Sequence, residues 1–273
     1  MDSYNVLIIG SGPAGLFAAI ELERLGVDRI AIVDRNPYPA GGLLNDGKLN
    51  FDYRIGIDLD ELKINSDMAQ NLMRDIRQIF ICFPKCKQVT FIDRDEQIEA
   101  LREITAENGA QFIAPEQWHW GTDNGKAAVD YLRKHLKKTK FLLGTTINSI
   151  ASLHDDSFQI LGSCRKKNVH YTAKIVLAAP GRSGAYWFRD LATKLNIRHN
   201  FGPIDVGIRV ELNRKFYDDV TNIVYDPKFI FCTTRHKDKV RTFCTNPGGR
   251  VRPEDYYDFK LVNGDALSGR KTA

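Results

Sequence analysis

The sequence predicts an α/β fold for this 273-residue chain, with a parallel sheet early and antiparallel strands late. Three observations carry this expectation. A strand-like apolar run, a helical stretch and a second apolar run follow one another within the first 34 residues. A glycine-rich turn joins the first two. Beyond residue 200 the apolar and polar residues alternate with a period of two. Hydrophobic residues make up 43% of the chain and charged residues 27%, so there is ample apolar material for a folded core.

Tyr4 to Ile9, rich in Val and Ile, reads as a strand buried on both faces. Pro13 to Leu25 reads as a helix, with Pro in the first turn and Gly26 just past the end. Arg29 to Val33 is a second buried strand, and this order predicts a right-handed parallel crossover. Asn36 to Ile57 is rich in Gly, Pro, Asn and Asp without a helical period, which marks a functional connection. Helices are expected over 60–80, over 91–108 and over 122–138, the last capped by Thr122 or Asp123. Strands are expected at 141–143, 145–150, 157–161, 169–172 and 174–179, then at 205–212, 229–233, 240–245 and 256–262. A domain boundary is placed near 189–202.

Composition narrows the function classes. No run of about eighteen apolar residues exists, so no membrane helix is expected. The opening Met1-Asp2-Ser3-Tyr4 leads straight into a strand, without the basic and apolar regions of a secretory signal, and the expected compartment is the cytoplasm. Cys82, Cys86, Cys164, Cys232 and Cys244 are scattered and odd in number, which fits neither a disulfide framework nor a metal site. The net charge is +5, and the densest basic run, Arg133 to Lys140, is interleaved with Leu132, Leu136 and Phe141. That spacing reads as the solvated face of a helix rather than a nucleic-acid surface. The excess charge suits a polyanionic cofactor or substrate.

The sharpest chemical signal is Gly10-Ser11-Gly12-Pro13-Ala14-Gly15, a G-x-G-x-x-G between the first strand and the first helix. Gly10 permits the tight turn, Gly12 leaves room for a pyrophosphate, and Gly15 lets helix and strand pack closely. Uncapped N–H groups at the helix start carry roughly half a positive charge toward the phosphates. Asp34 ends the second strand 24 residues after Gly10, where its carboxylate can accept from an adenosine ribose. An acid there argues against a 2′-phosphate. Gly41-Gly42 follows, before Leu43-Leu44-Asn45-Asp46-Gly47-Lys48-Leu49, and lets the backbone approach a long cofactor a second time. An NAD dehydrogenase would pass more directly into another helix.

These residues resemble the FAD-dependent dehydrogenases of the two-dinucleotide-binding-domain flavoprotein superfamily, and within it the NAD(FAD)-utilising dehydrogenase group. The resemblance runs from Gly10–Gly15 through Ile32-Val33-Asp34-Arg35 and 42–49 to Gly121-Thr122-Asp123-Asn124. It continues over 177–184, 202–211 and Arg241-Thr242-Phe243-Cys244-Thr245-Asn246-Pro247-Gly248-Gly249. It implies a Rossmann-like FAD-binding domain of glutathione-reductase type over 1–190, with a helical segment at about 60–115, and a β-rich substrate domain over 200–273. FAD is the implied cofactor, with NAD(P)H as a co-substrate and a small molecule as substrate. Gly10, Gly12, Pro13, Ala14 and Gly15 would meet the pyrophosphate, and Asp34 with Arg35 the adenosine ribose. Gly42, Lys48 and Leu49 would lie toward the flavin, Ile147 would offer its main chain to adenine, and Ala178, Ala179 and Gly181 would return the chain to the cofactor. Pro180 stands where a small polar residue is commoner.

One departure concerns the family's closing Gly-Asp segment. Gly264-Asp265 is present, but it reads as a turn after a strand with no apolar helix behind it, so a C-terminally truncated substrate domain is expected. Catalytic candidates are few, because the flavin itself carries redox chemistry. Cys244 could act as nucleophile or proton donor, and Arg209 and Arg241 could clamp an anionic substrate. His119, between Trp118 and Trp120, reads as part of an aromatic cluster. Two other functions stay open: a dinucleotide-binding module without catalysis, and an enzyme that consumes NAD as a reactant, as thiazole-forming proteins of related fold do.

Overall fold

Leu7, Ile8 and Ile32 are wholly buried, as strands covered on both faces require, and the N-terminal sheet grows around them. The computed structural model describes residues 2–39, 41–90, 95–200, 202 and 204–268. The chain begins β1 (Asp2–Ile9), α1 (Pro13–Arg24), β2 (Ile30–Asp34), β3 (Lys48–Asn50), α2 (Leu59–Leu62) and α3 (Ser66–Ile81). It continues with β4 (Lys87–Gln88), α4 (Asp95–Glu107), β5 (Ala110–Ile113), β6 (Gln117–His119) and α5 (Gly125–Arg133). Next come β7 (Lys140–Leu143), β8 (Thr145–Ser152), β9 (Phe158–Cys164), β10 (Lys167–Ala178) and α6 (Ala185–Lys194). Last are α7 (Asp218–Thr221), β11 (Lys228–Cys232), β12 (Lys239–Arg241), β13 (Arg250–Tyr256) and β14 (Phe259–Asp265). Two compact units result: Met1–Leu44 with Lys126–Gly207, and Asn45–Gly125 with Ile208–Ala273.

In the first unit six strands lie in the order β7-β2-β1-β10-β9-β8. The first four run parallel, and β10, β9 and β8 form an antiparallel meander. The stretches 169–172 and 174–179, expected as separate strands, are the single strand β10. It pairs with β9 over Lys167–Ala173 and with β1 over Tyr171–Ala178. Tyr4, Leu7, Val33, Ile150, Ile160 and Tyr171 make one face of the core. Helix α1 has Pro13 at its start, and Gly26 takes φ +80° just beyond its end.

The expected helix over 122–138 is shorter, because its ends go to other partners. Residues 122–124 form a 3₁₀ turn without a side-chain cap, and Asp123 instead accepts from the N–H and hydroxyl of Ser268. Beyond Arg133 the chain turns, and the N–H groups of Lys137, Lys138 and Thr139, with the Thr139 hydroxyl, donate to the Glu23 carboxylate at 2.7–2.9 Å. Part of the basic run is thus a loop anchored on α1. Burial works against the Glu23 charge, but these donors outweigh it and hold its pKa below the ordinary value. A depressed folded-state pKa means the unfolded chain binds more protons in the window between the two values. The stabilisation is therefore complete above about pH 4.3 and fades as pH falls through the folded value. Glu23→Gln should lower Tm at pH 7, and the gap from the parent should close in the acid limb of a Tm-versus-pH series.

The second unit is built of small antiparallel sheets, β12-β11-β5, β3-β6-β4 and the β13-β14 hairpin. Its core stacks Phe80 on Trp120 at 5.2 Å and Phe112 on Phe229 at 5.1 Å between ring centres. Several expectations are corrected here. The helix over 60–80 is broken, since Lys63 adopts φ +53° and Asn65 caps a new start through the Met68 N–H. Of the helix expected over 91–108, Asp95–Glu107 is helical and residues 91–94 lie outside the described residues. Residues 205–212, expected as a strand, have no regular structure, and Val206 and Ile208 are each 90% exposed. Alternation makes such a segment suited to a sheet, but no described strand forms a ladder with it, and the Val251 N–H of β13 reaches only the Glu211 side chain. The stretch 256–262 straddles the turn of the β13-β14 hairpin, and Gly264-Asp265 belongs to β14 rather than to a turn. Residues 45–125 cluster with the C-terminal strands through contacts such as β11 on β5, whereas the sequence pattern groups the helical segment with the N-terminal domain. Among the described residues no helix is long and apolar enough to cross a membrane.

Candidate functional site

The turn after β1 is shaped by what its glycines must avoid. Gly10 takes φ +107°, and a Cβ there would lie 2.1 Å from the Ala179 carbonyl oxygen, because the ends of β1 and β10 converge. The Ala179 N–H fixes that approach by donating to Ile9 O at 2.7 Å. A Cβ on Gly15 would lie 1.9 Å from Gly10 O, so close helix-on-strand packing demands glycine there too.

Gly12 differs. Its φ of −75° suits any residue, and a Cβ would make only ordinary contact with Gly41 Cα at 3.7 Å. Protein packing does not require this glycine. Helix α1 carries no side-chain cap and no acid in its first turn, and Pro13 and Ala14 are exposed. The first intrahelical bond from Leu16 N–H to Gly12 O leaves the preceding amides directed outward. An open cradle of uncapped amides fits a diphosphate.

Asp34 stands at this turn. Its Oδ2 accepts from the Ser11 N–H at 2.8 Å and the Ser11 hydroxyl at 2.5 Å, and its Oδ1 accepts from the Asn36 N–H at 2.8 Å. Three of roughly four acceptor positions on the carboxylate are thus taken, and one on Oδ1 remains for a sugar hydroxyl. Gly41, at φ +53°, packs on the turn so closely that a Cβ would come 2.7 Å from Gly12 Cα. The second glycine pair therefore approaches the first turn itself. Gly42 and Arg35 are exposed beside it. Ala178 pairs with Ile9 at the end of β10, and Gly181, at φ +63°, has open space on its Cβ side. Ile147 is buried in β8, the edge strand of the sheet, next to a bulge between Ile147 and Ser149.

Lys48 and Leu49 fold into the second unit. Leu49 pairs with Trp118, and Lys48 is the centre of a buried polar cluster. The Lys48 Nζ lies 2.9 Å from Asp226 Oδ2, 3.6 Å from Asp46 Oδ2, 2.7 Å from Thr245 O, 3.1 Å from Asn246 Oδ1 and 3.1 Å from Cys244 Sγ. Its three N–H donors are shared among these acceptors. Burial opposes the Lys48 charge, but Asp226, Cys244 and Asp46 outweigh it and hold its pKa above the usual lysine value. Lys228 also pairs with Asp226, at 2.7 Å, yet its pKa is lowered, because burial dominates and Lys48 repels it. His119 packs on Tyr225 and its Nε2 lies 3.0 Å from Asp46 O; burial lowers its pKa and keeps it neutral at pH 7.

The structure brings two candidates together, since Lys48 and Cys244 meet across 196 positions of sequence. The turn after Cys244 closes through Gly249 N–H to Asn246 O, and Gly249 packs where a Cβ would stand 2.7 Å from Asp265 O. Arg209 is half-buried with Nη1 beside Gly264, and Arg241 lays its guanidinium over the Phe243 ring at 5.3 Å. Asp46, Asp226, Lys228 and Asn246 were absent from the sequence candidates. Each stands two residues from another member of the cluster, Asp46 from Lys48, Asp226 from Lys228 and Asn246 from Cys244, but Asp46 reaches its place through a turn with φ +58° that no sequence pattern announces.

Comparison with known proteins bears on the first unit. A family described as FAD binding domain matches residues 3–47. An opine oxidase polypeptide of Agrobacterium tumefaciens (strain Ach5) is 44% identical over 45 residues, 16% of this chain and 9% of its own length, and its counterpart in Rhizobium meliloti is 49% identical over 45 residues, 16% of this chain and 8% of its own length. An uncharacterised Clostridium beijerinckii protein is 24% identical over 97% of this chain, which spans 49% of that relative. The chain thus spans half or less of the curated relatives it matches. Among solved structures, FAD-bound L-alpha-glycerophosphate oxidase from Mycoplasma pneumoniae has a TM-score of 0.45 at 15% identity, covering 71% of this chain and 58% of that one. The family match falls on the residues that form the open cradle and its carboxylate, and FAD is the cofactor of this chain.

Proposed function

We propose that this chain is the cofactor-binding part of an FAD-dependent oxidoreductase, a dehydrogenase or reductase of the two-dinucleotide-binding-domain type and the NAD(FAD)-utilising group. Bound FAD would supply the exchange of hydride or electrons with a small-molecule substrate, with NAD(P)H as donor. The reading rests on one observation above the others: the FAD-binding match covers a helix start that no side chain caps and a Gly12 that packing does not explain.

The residues divide the work by chemistry. The amides after Gly12 hold the diphosphate, and the Ser11–Asp34–Asn36 hydrogen bonds hold the carboxylate beside it, so that Oδ1 orients the adenosine ribose. Arg35 and Gly42 border the same turn. Ala178, Ala179 and Gly181 set the floor where β10 ends, and the edge position of Ile147 leaves main-chain groups for adenine. The second unit supplies the substrate side, where Arg209 and Arg241 receive an anionic group.

Titration of the full chain with FAD, followed by quenching of flavin fluorescence, tests this. Saturable one-to-one binding and bleaching of the bound flavin by dithionite are expected. Asp34→Ala should weaken binding by about 10- to 100-fold, the loss of one or two charge-assisted hydrogen bonds. FAD that stays free at every concentration, or equal binding by Asp34→Ala, would overturn the reading.

A further inference from the structure

The polar cluster of the second unit surrounds one sulfur. Cys244 Sγ lies 3.1 Å from the buried Lys48 ammonium, 3.5 Å from Asn246 Oδ1 and 3.6 Å from Asp46 Oδ2. Asp46 Oδ1 is buried and accepts no hydrogen bond among the described residues. The sulfur therefore has a fixed cation on one side and a carboxylate with spare acceptor capacity on the other. Cys244 is half-buried, so small reagents reach it. We propose that Cys244 is the reactive thiol of this chain, a nucleophile toward hydrogen peroxide and small carbon electrophiles, and that Lys48 is the residue that makes it so.

The chemistry follows from this arrangement. A thiol reacts through its anion, which a neighbouring ammonium favours. With iodoacetamide, Sγ forms a bond to the methylene carbon, the carbon–iodine bond breaks, and iodide leaves with its electron pair. The thiol proton passes to the Asp46 carboxylate. With hydrogen peroxide, Sγ takes one oxygen as the O–O bond breaks. Sulfur is oxidised by two electrons to the sulfenic acid, and the other oxygen leaves as water.

The remaining cysteines are controls in the same molecule. Cys82 and Cys232 are more exposed than Cys244. Cys164 is half-buried as well, but its Sγ faces the Leu143 carbonyl at 4.0 Å. Cys86 is buried, and burial pushes its thiol up to about 12, so it reports on folding. Accessibility alone ranks Cys82 and Cys232 first; the ammonium ranks Cys244 first.

The experiment treats the full chain with limiting iodoacetamide and, separately, with hydrogen peroxide plus dimedone, and reads each cysteine by peptide mass spectrometry. Cys244 should react about tenfold faster than Cys82 and Cys232, and Cys86 should lag. Precedence of Cys82 or Cys232 over Cys244 would overturn the proposal. Lys48→Met should bring Cys244 down to the rate of Cys164 while Cys86 stays protected, and an unchanged rate would remove Lys48 from it. If Lys48→Met exposes Cys86, Lys48→Gln, which keeps a donor for Thr245 O without the charge, carries the same comparison. No cofactor enters the assay, so its outcome is independent of the flavin reading.

Discussion

Gly12→Val should abolish FAD binding in a chain that remains folded, whereas Gly15→Ala should unfold the first unit without testing binding at all. The contrast rests on what a side chain would meet. At position 12 the backbone is extended, with φ −75° and ψ −172°, and the nearest atom to a new Cβ is 3.7 Å away. The added methyls stand over the uncapped amides of α1, where the diphosphate would lie. Loss of that contact is worth at least about 3 kcal/mol, or a factor of roughly 100 in affinity. The stability cost is small, about 1 kcal/mol, the usual difference between good and poor residues at a helix N-cap. At position 15 the new Cβ would overlap Gly10 O at 1.9 Å, and backbone atoms on both sides cannot yield. Overpacking of that kind costs about 3 kcal/mol or more. Flavin fluorescence and urea midpoints, measured on both variants, separate the effects. A Gly12→Val chain with normal affinity would show that the cofactor does not approach this turn.

The cradle was legible in the sequence because most of its requirements are local, the Ala179 carbonyl that Gly10 must clear being the exception. A glycine that must clear a carbonyl, a proline at a first helical turn and an acid at a strand end are fixed by neighbours within a few residues, and all three stand where the spacing put them. The sheet was legible for a similar reason, since strands buried on both faces need continuous apolar runs. The buried cluster was not. The resemblance puts Lys48 toward the cofactor, whereas its partners at 226 and 244–246 come from segments whose pairing no local rule supplies. The segment 205–212 failed for the opposite reason: its alternation is clear, but a strand needs a partner as well as a pattern. Turn chemistry accounts for the rest. Lys63 in the left-handed region, followed by Asn65 as an N-cap, interrupts a helical period that continues through both helices around it.

Asp226→Leu is expected to destabilise the second unit more than any other single change to its polar residues, by about 3–5 kcal/mol. Asp226 is 1% exposed and lies between two ammonium groups that are themselves nearly buried, Lys48 at 2.9 Å and Lys228 at 2.7 Å. Its Oδ1 also accepts from the Thr245 N–H at 2.8 Å, which ties the Cys244 segment to the strand before it. Leucine of similar volume would leave two like charges without the anion that holds them, and burial already presses Lys228 toward its neutral form. Lys48→Met is the milder change, because Asp226 keeps Lys228 as its partner at 2.7 Å and the excess negative charge falls on Asp46, whose side chain is 20% exposed. The two variants can be ranked by urea unfolding followed through Trp120, which is buried in the same unit against Phe80. Equal midpoints for Asp226→Leu and the parent would mean that the lysines neutralise or reach water at no cost. The cluster would then be a surface ion-pair network, and its grip on the Cys244 sulfur would be correspondingly weak.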